Sequence, residues 1–436
     1  MACASRRLLV PIPVLRRSGR ARVRAADAKR CHSRRDAEPQ NSMKRDQPFP
    51  IATRLVDIEP FHVMEVQRRA QALEAGGRHI VHMEIGQPDF AAPPQVIEAA
   101  IRAVRTQSLG YTDALGLPEL REAISRFYLT RYGVDVPAER IVVTAGASGA
   151  FLLALGALVD PNDEVLMPDP CYPCNRHFVR LFEGRARRVA VDERQFYQLS
   201  ASDVRREWND GVRGVMLASP SNPTGSTIPT DELRAILDFA ASRRGFALVD
   251  EIYHGLTYSA DGDPLSTALA MSDRIFVVNS FSKYFNMTGW RLGWLVVPQG
   301  YLREIEKLAQ NVYICASAPA QHAAIAAFLP ETLAVLEERR AEFQRRRDFM
   351  VPALRKLGFR IPIMPQGAFY IYAGCESFGP DSSAFALRVL DEAGVAITPG
   401  LDFGLNHPER HIRIAYTRSM EELEEGVARI AKLVGR

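Results

Sequence analysis

Cysteine is scarce in this chain, with six in 436 residues at positions 3, 31, 171, 174, 315 and 375 and no repeating interval between them. So few thiols cannot staple a disulfide scaffold, and they suit a reducing compartment, so a cytoplasmic protein is expected. Uncharged runs as long as a membrane span are equally sparse. Two stretches approach that length, Ile141 to Val159 and Tyr313 to Pro330. The first is broken by Gly146, Ser148, Gly149 and Gly156, and the second carries Pro319, Gln321 and His322. They read as a buried strand-turn-helix and a buried helix, and no membrane partner is expected. His79, His82, His407 and His411 are scattered, and Cys171-x-x-Cys174 has no second pair to complete a zinc site, so no metal is expected.

What is present is ordinary globular material, 47% hydrophobic and 24% charged, which excludes disorder throughout. The net charge of +4 is unevenly spread. Residues 1–42 hold eleven basic and three acidic side chains, a net of +8, which leaves the other 394 residues at −4. A mildly acidic body argues against a nucleic-acid partner. Residues 1–48 lack apolar periodicity and are expected to be a disordered basic leader. Ser5-Arg6-Arg7-Leu8-Leu9 is similar to a twin-arginine signal, and the Arg-rich composition is also that of a transit peptide. A translated extension with the working start at Met43 is the plainer alternative.

From Glu84 onward, short apolar runs alternate with helix-length segments. Ile141 to Thr144, Glu164 to Met167, Arg187 to Val191, Gly214 to Ala218, Phe246 to Val249 and Arg274 to Val278 read as strands. This order predicts an α/β fold whose mostly parallel sheet lies between helices, with ligands at the carboxyl ends of the strands. A polar helix from Glu331 to Phe349 then leads to strands at Ile361 to Ile363, Ala368 to Tyr372 and His411 to Ala415. Residues 85–325 are therefore expected to be a large domain, and 49–84 with 326–436 a smaller α+β domain.

The chemistry concentrates at the predicted strand ends. Ser280-Phe281-Ser282-Lys283, followed by Gly289-Trp290-Arg291-Leu292-Gly293, offers a lysine amine that could form an imine with an aldehyde. Arg291 and Ser280 supply phosphate donors. Asp250 ends an apolar strand with Tyr253 three residues on, and Ser219 to Gly225 is a proline-fixed turn presenting Asn222. Thr144 to Gly149 opens a helix whose first amides can hold an anion.

Together these segments resemble the fold-type I pyridoxal-phosphate enzymes, specifically the class I/II aminotransferases related to aspartate aminotransferase. The resemblance covers roughly Phe49 to Arg436 and implies pyridoxal 5'-phosphate as cofactor, with a seven-stranded-type sheet in the large domain. It implies that Lys283 holds the cofactor and shuttles a proton, and that Asp250 pairs with the pyridine nitrogen. Asn222 and Tyr253 would bond the phenolic oxygen, and Ala147, Ser148, Ser280 and Arg291 the phosphate. Tyr172 would stack on the ring. Gly86, in Gly86-Gln87-Pro88-Asp89, would meet the substrate carboxylate through its amide, and Arg413 would bind that carboxylate bidentately. Tyr111 would reach the phosphate of a partner subunit, which implies a homodimer. The implied reaction moves an α-amino group between an amino acid and a 2-oxo acid, with 2-oxoglutarate and glutamate as one pair.

Rival readings are thinner. A C–S β-lyase on the same scaffold differs only in pocket detail. Gly146-Ala147-Ser148-Gly149-Ala150 nearly spells a serine-hydrolase elbow, and Ser280-x-x-Lys283 a penicillin-binding motif, but neither set is completed. A cofactor-sensing regulator would need a DNA-binding head, for which residues 1–48 are too short.

Overall fold

The computed structural model describes residues 49–258 and 265–435. The expectations for the basic leader and for Met43 lie outside these residues. Along the chain the strands are β1 (Val81–His82), β2 (Ile141–Thr144), β3 (Glu164–Asp169), β4 (Arg185–Ala190), β5 (Val212–Ala218) and β6 (Phe246–Asp250). They continue as β7 (Phe276–Ser280), β8 (Gly293–Val296), β9 (Tyr370–Gly374), β10 (Val395–Ala396), β11 (Thr398–Pro399) and β12 (His411–Ala415).

A seven-stranded sheet runs β2-β8-β7-β6-β5-β3-β4. Neighbours from β4 to β7 are parallel, and β8 is antiparallel to both β7 and β2. Strands β2, β7 and β8 are buried at every position, as their unbroken apolar runs require when helices cover both faces. The crossover helices include Gly146–Leu158, Pro173–Leu181 and Thr230–Ser242. The six strands anticipated from sequence are present with ends shifted by up to two residues. β8 was not anticipated, because it doubles back against β7 and breaks the alternation of strand and helix.

A second, three-stranded sheet runs β11-β12-β9, antiparallel throughout, and β1 pairs with β10 in parallel. The polar helix extends over Pro330–Lys356. Ile361 to Ile363 corrects the sequence reading: it is not a strand, and only Arg360 bridges to Gly374. Pro362 has no amide hydrogen to give a ladder, and the Ile361 carbonyl accepts two hydrogen bonds from the Arg355 guanidinium, at 2.9 and 2.7 Å. Of the two long uncharged runs, the first is β2 followed by Gly146–Leu158, and the second holds the short helix Ala318–Ile325. Among the described residues no helix is long and apolar enough to cross a membrane.

Register sets up the site. Ala218, Asp250 and Val278 are paired across the central strands β5, β6 and β7, so the loops after Ala218, Asp250 and Ser280 leave from the same, carboxyl end of the strands. Gly293 pairs with both Ser280 and Thr144. A Cβ at Gly293 would stand 2.8 Å from the Asn279 carbonyl and 2.9 Å from the Ala147 nitrogen, so glycine is required for the helix start at 146 to close on the end of β7.

Candidate active site

A cavity of about 470 Å³ opens at these strand ends. Lys283 is pinned there by its neighbours: Phe281, Tyr284 and Phe285 are buried, and Phe281 and Phe285 pack with Trp294 and Phe328 in one aromatic cluster. With the flanking rings locked into the core, the lysine side chain is left facing the cavity. Its Nζ donates to the Gly86 carbonyl at 2.7 Å. Burial, then the positive charges of Arg413 and Arg291, push the ammonium down to about 8. Lys307, Lys356 and Lys432 are exposed, so Lys283 is the one sheltered lysine among the described residues.

Beside it, Asp250 is buried and its Oδ1 accepts the Ile252 amide at 2.9 Å. Burial raises its carboxyl to about 7. Tyr253 lies hydroxyl to hydroxyl with Tyr370 at 2.8 Å, and burial holds its ionisation well above the ordinary value. Asn222 Oδ1 accepts from Arg413 Nη1 at 3.0 Å, and Arg413 Nη2 donates to the Glu84 carbonyl at 2.6 Å. The Arg413 guanidinium lies over the Tyr370 and Phe403 rings, 4.4 and 4.9 Å from their centroids. Its Nε is buried without a partner, an unused donor on a fork suited to a carboxylate.

The cavity also gathers groups that could hold an anion. Ala147, Ser148, Ser280, Ser282 and Arg291 all line the cavity. Ser280 Oγ accepts the Ser282 amide at 3.0 Å and lies 3.1 Å from the Leu292 carbonyl. Tyr172 precedes the helix Pro173–Leu181 and also lines the cavity, its ring 6.3 Å from that of Phe61.

Two expected residues sit differently from the rest. Gly86 meets Lys283 through its carbonyl, and a Cβ there would lie 1.7 Å from the Tyr370 hydroxyl, so only glycine fits. Tyr111 is 83% exposed and does not line the cavity of its own chain. Sequence reading missed Ser282, Tyr370, Asp402 and Phe403 as cavity residues. For Lys283 it also passed over an available signal: only six lysines stand among 55 basic residues.

The family described as Aminotransferase class I and II matches residues 78–430. The chain belongs to the class I and II aminotransferases. Among its relatives is valine–pyruvate aminotransferase from Mycobacterium tuberculosis, 39% identical over 374 residues, covering 86% of this chain and 96% of that one. A crystal structure of an aminotransferase from the same organism superposes with a TM-score of 0.86 at 38% identity, covering 89% of this chain and 99% of the other. Aspartate aminotransferase from Thermus thermophilus, solved with maleate, gives 0.83 at 30% identity, covering 88% and 100%. This aminotransferase is therefore a transaminase of fold type I, and the cofactor of its family is pyridoxal 5'-phosphate. The cavity fits that group: it joins a buried amine, a buried carboxylate and a cluster of phosphate donors, with the Arg413 Nε left over for a substrate. Among the described residues no group of three His, Cys, Asp or Glu could hold a metal ion.

Proposed function

We propose that this aminotransferase moves the α-amino group of an aliphatic amino acid to a 2-oxo acid, with 2-oxoglutarate and glutamate as one exchanging pair. The observation that carries the reading is the meeting of Lys283, Asp250 and Arg413 in one cavity, with Phe61, Val63, Met64, Ile85 and Phe403 forming an apolar portion of its wall. The name of the valine–pyruvate relative supports the aliphatic donor.

Pyridoxal 5'-phosphate, when bound, supplies a ring that accepts the electron pair left at the substrate Cα. Ala147, Ser148, Ser280 and Arg291 would hold its phosphate, Tyr172 would stack on the ring, and Asp250 would keep the pyridine nitrogen protonated. Arg413 binds the substrate α-carboxylate, with Asn222 steadying the fork. Lys283 would anchor the cofactor and, when free, would carry a proton between the substrate Cα and the cofactor C4′. Tyr253 and Asn222 bond the phenolic oxygen.

We further propose a homodimer in which the exposed Tyr111 serves the partner subunit's phosphate site. Residues 85–325 and 49–84 with 326–436 are proposed as two domains, since the seven-stranded sheet draws only on the first span and β9 to β12 only on the second. The four described cysteines are unpaired, in keeping with a cytoplasmic location.

The test is a half-reaction screen: single amino acids are added to the purified, cofactor-loaded enzyme and bleaching of its visible absorption is followed. Valine and glutamate are expected to bleach it. Failure of every amino acid to do so overturns the reading, and release of pyruvate and thiol from cystathionine without an oxo acid replaces it with the β-lyase.

A further inference from the structure

One wall of the cavity is carried by a helix whose first turn is held by one distant carboxylate, while its later turns are held by an Arg69–Asp391 ion pair and by Val66 and Ala70 in the core. The helix α1 (His62–Ala75), with Phe61 just before it, contributes Phe61, Val63, Met64 and Gln67 to the cavity. Its N-terminal residue Phe61 makes no side-chain cap, so the first amides would be left unpaired. They are taken instead by a residue 340 positions away. The His62 amide donates to Asp402 Oδ1 at 2.7 Å and the Val63 amide to Asp402 Oδ2 at 2.9 Å. Asp402 is itself 2% exposed and lines the same cavity. A carboxylate spanning two amides of a helix start is a strong, directional contact, reinforced by the positive end of the helix dipole.

The loop that carries Asp402 is in turn tied to the large sheet. The Phe403 carbonyl accepts the Cys171 amide at 2.9 Å, and the Leu405 amide donates to the Asp169 carboxylate at the end of β3, at 3.0 and 3.1 Å. Arg176 donates to the Asp402 carbonyl at 3.1 Å. The same loop places the Phe403 ring under Arg413. One short segment thus fixes both the α-carboxylate anchor and, through Asp402, the apolar wall of α1, and so fixes the gap between them.

We propose that Asp402 is a specificity-determining positioning residue: by clamping the start of α1 it sets the subsite for the aliphatic side chain of the donor. This rests on the aminotransferase reading above and adds to it which part of the chain selects the side chain. Arg413 holds every α-amino acid alike, so discrimination falls to the distance between its fork and Val63 and Met64. A donor that fills the gap gains from a fixed wall, whereas alanine, which does not reach it, gains little.

The experiment compares the wild type with D402A and D402N, each loaded with pyridoxal 5'-phosphate, on valine and on alanine. In D402A the KM for valine is expected to rise about tenfold and that for alanine by less than about threefold, a change of the size expected for losing hydrogen bonds to a charged group. D402N keeps one acceptor oxygen and should fall between the two. In parallel, hydrogen exchange of cofactor-free wild type and D402A is compared. Amides at the start of α1 should exchange at least about tenfold faster in the variant while those of 146–158 keep their protection. Should D402A not fold, the valine-to-alanine ratio and the exchange of D402N decide alone. An unchanged ratio, equal losses on both donors, or unchanged exchange in α1 overturns the proposal. A wild type that bleaches with no amino acid overturns the aminotransferase reading instead.

Discussion

The two ends of the cavity are built on different principles. At the phosphate end, Ser280, Ala147 and Lys283 stand on or directly after strands and a helix of one buried sheet, and register fixes them: Gly293 pairs with Ser280 on one side and Thr144 on the other. At the apolar wall the start of a helix is held by Asp402, with Met64 half in solvent, and only its later turns are anchored by Arg69–Asp391 and buried Val66 and Ala70. Under the proposed roles, the groups that hold the cofactor are placed by the sheet, and the surface that meets the donor's side chain is placed in part by one loop carboxylate.

That contrast predicts which kinetic constant each substitution moves. The largest effect belongs to Lys283→Ala, which removes the proposed covalent anchor and proton carrier; transamination should fall by about 10⁴-fold or more, measured in single-turnover assays. Asp250→Asn should retain the cofactor yet slow Cα proton removal by about 10³-fold, seen as a lowered kcat and an enlarged deuterium isotope effect with Cα-deuterated donor. Arg413→Lys keeps the charge but loses the planar fork, so KM should rise about thirtyfold for valine and alanine alike; an effect on kcat alone would break the comparison. Tyr111→Phe should be the mildest, weakening retention of the cofactor about fivefold on dialysis, as expected for one lost hydrogen bond.

A pH prediction sharpens the phosphate end. In the cofactor-free protein Lys283 is neutral only above about 8, because burial and the two arginines oppose its charge. The neutral amine is the attacking form, so capture of pyridoxal 5'-phosphate should quicken about tenfold per pH unit up to that point and level off beyond it. Stopped-flow absorbance measures this. A rate that keeps climbing to pH 10 would mean that the lysine retains its ordinary affinity for the proton.

Much of this was legible in the residues. The apolar runs ending in Asp250 and Ser280 announced both the strands and the chemistry at their tips, since a parallel sheet buries its strands and opens only at their ends. Lys283, Asn222 and Arg413 are polar groups whose neighbours in sequence are strand or turn formers, and they do converge in one cavity. β8 was hidden because no α-helix separates it from β7 and it runs against its neighbour. Ile361 to Ile363 looked like a strand because of its two isoleucines, although Pro362 between them is a local signal against one, and the Arg355 guanidinium takes the Ile361 carbonyl. Asp402 was invisible for a different reason. It reads as an ordinary loop acid in Gly400-Leu401-Asp402-Phe403-Gly404, and its meaning lies in amides at the far end of the chain. The Tyr253 to Tyr370 contact, 117 residues apart, is of the same kind.

The most direct test uses the scarcity of lysine. The chain has six, so borohydride reduction of the protein after addition of pyridoxal 5'-phosphate, followed by peptide mass analysis, resolves every lysine that could have reacted, with the α-amine as a separate peptide. The account predicts one stable adduct, on Lys283, formed in proportion to the loss of the aldehyde. A protein that stays unmodified, or that carries its adduct on Lys307, Lys356 or Lys432, would contradict it.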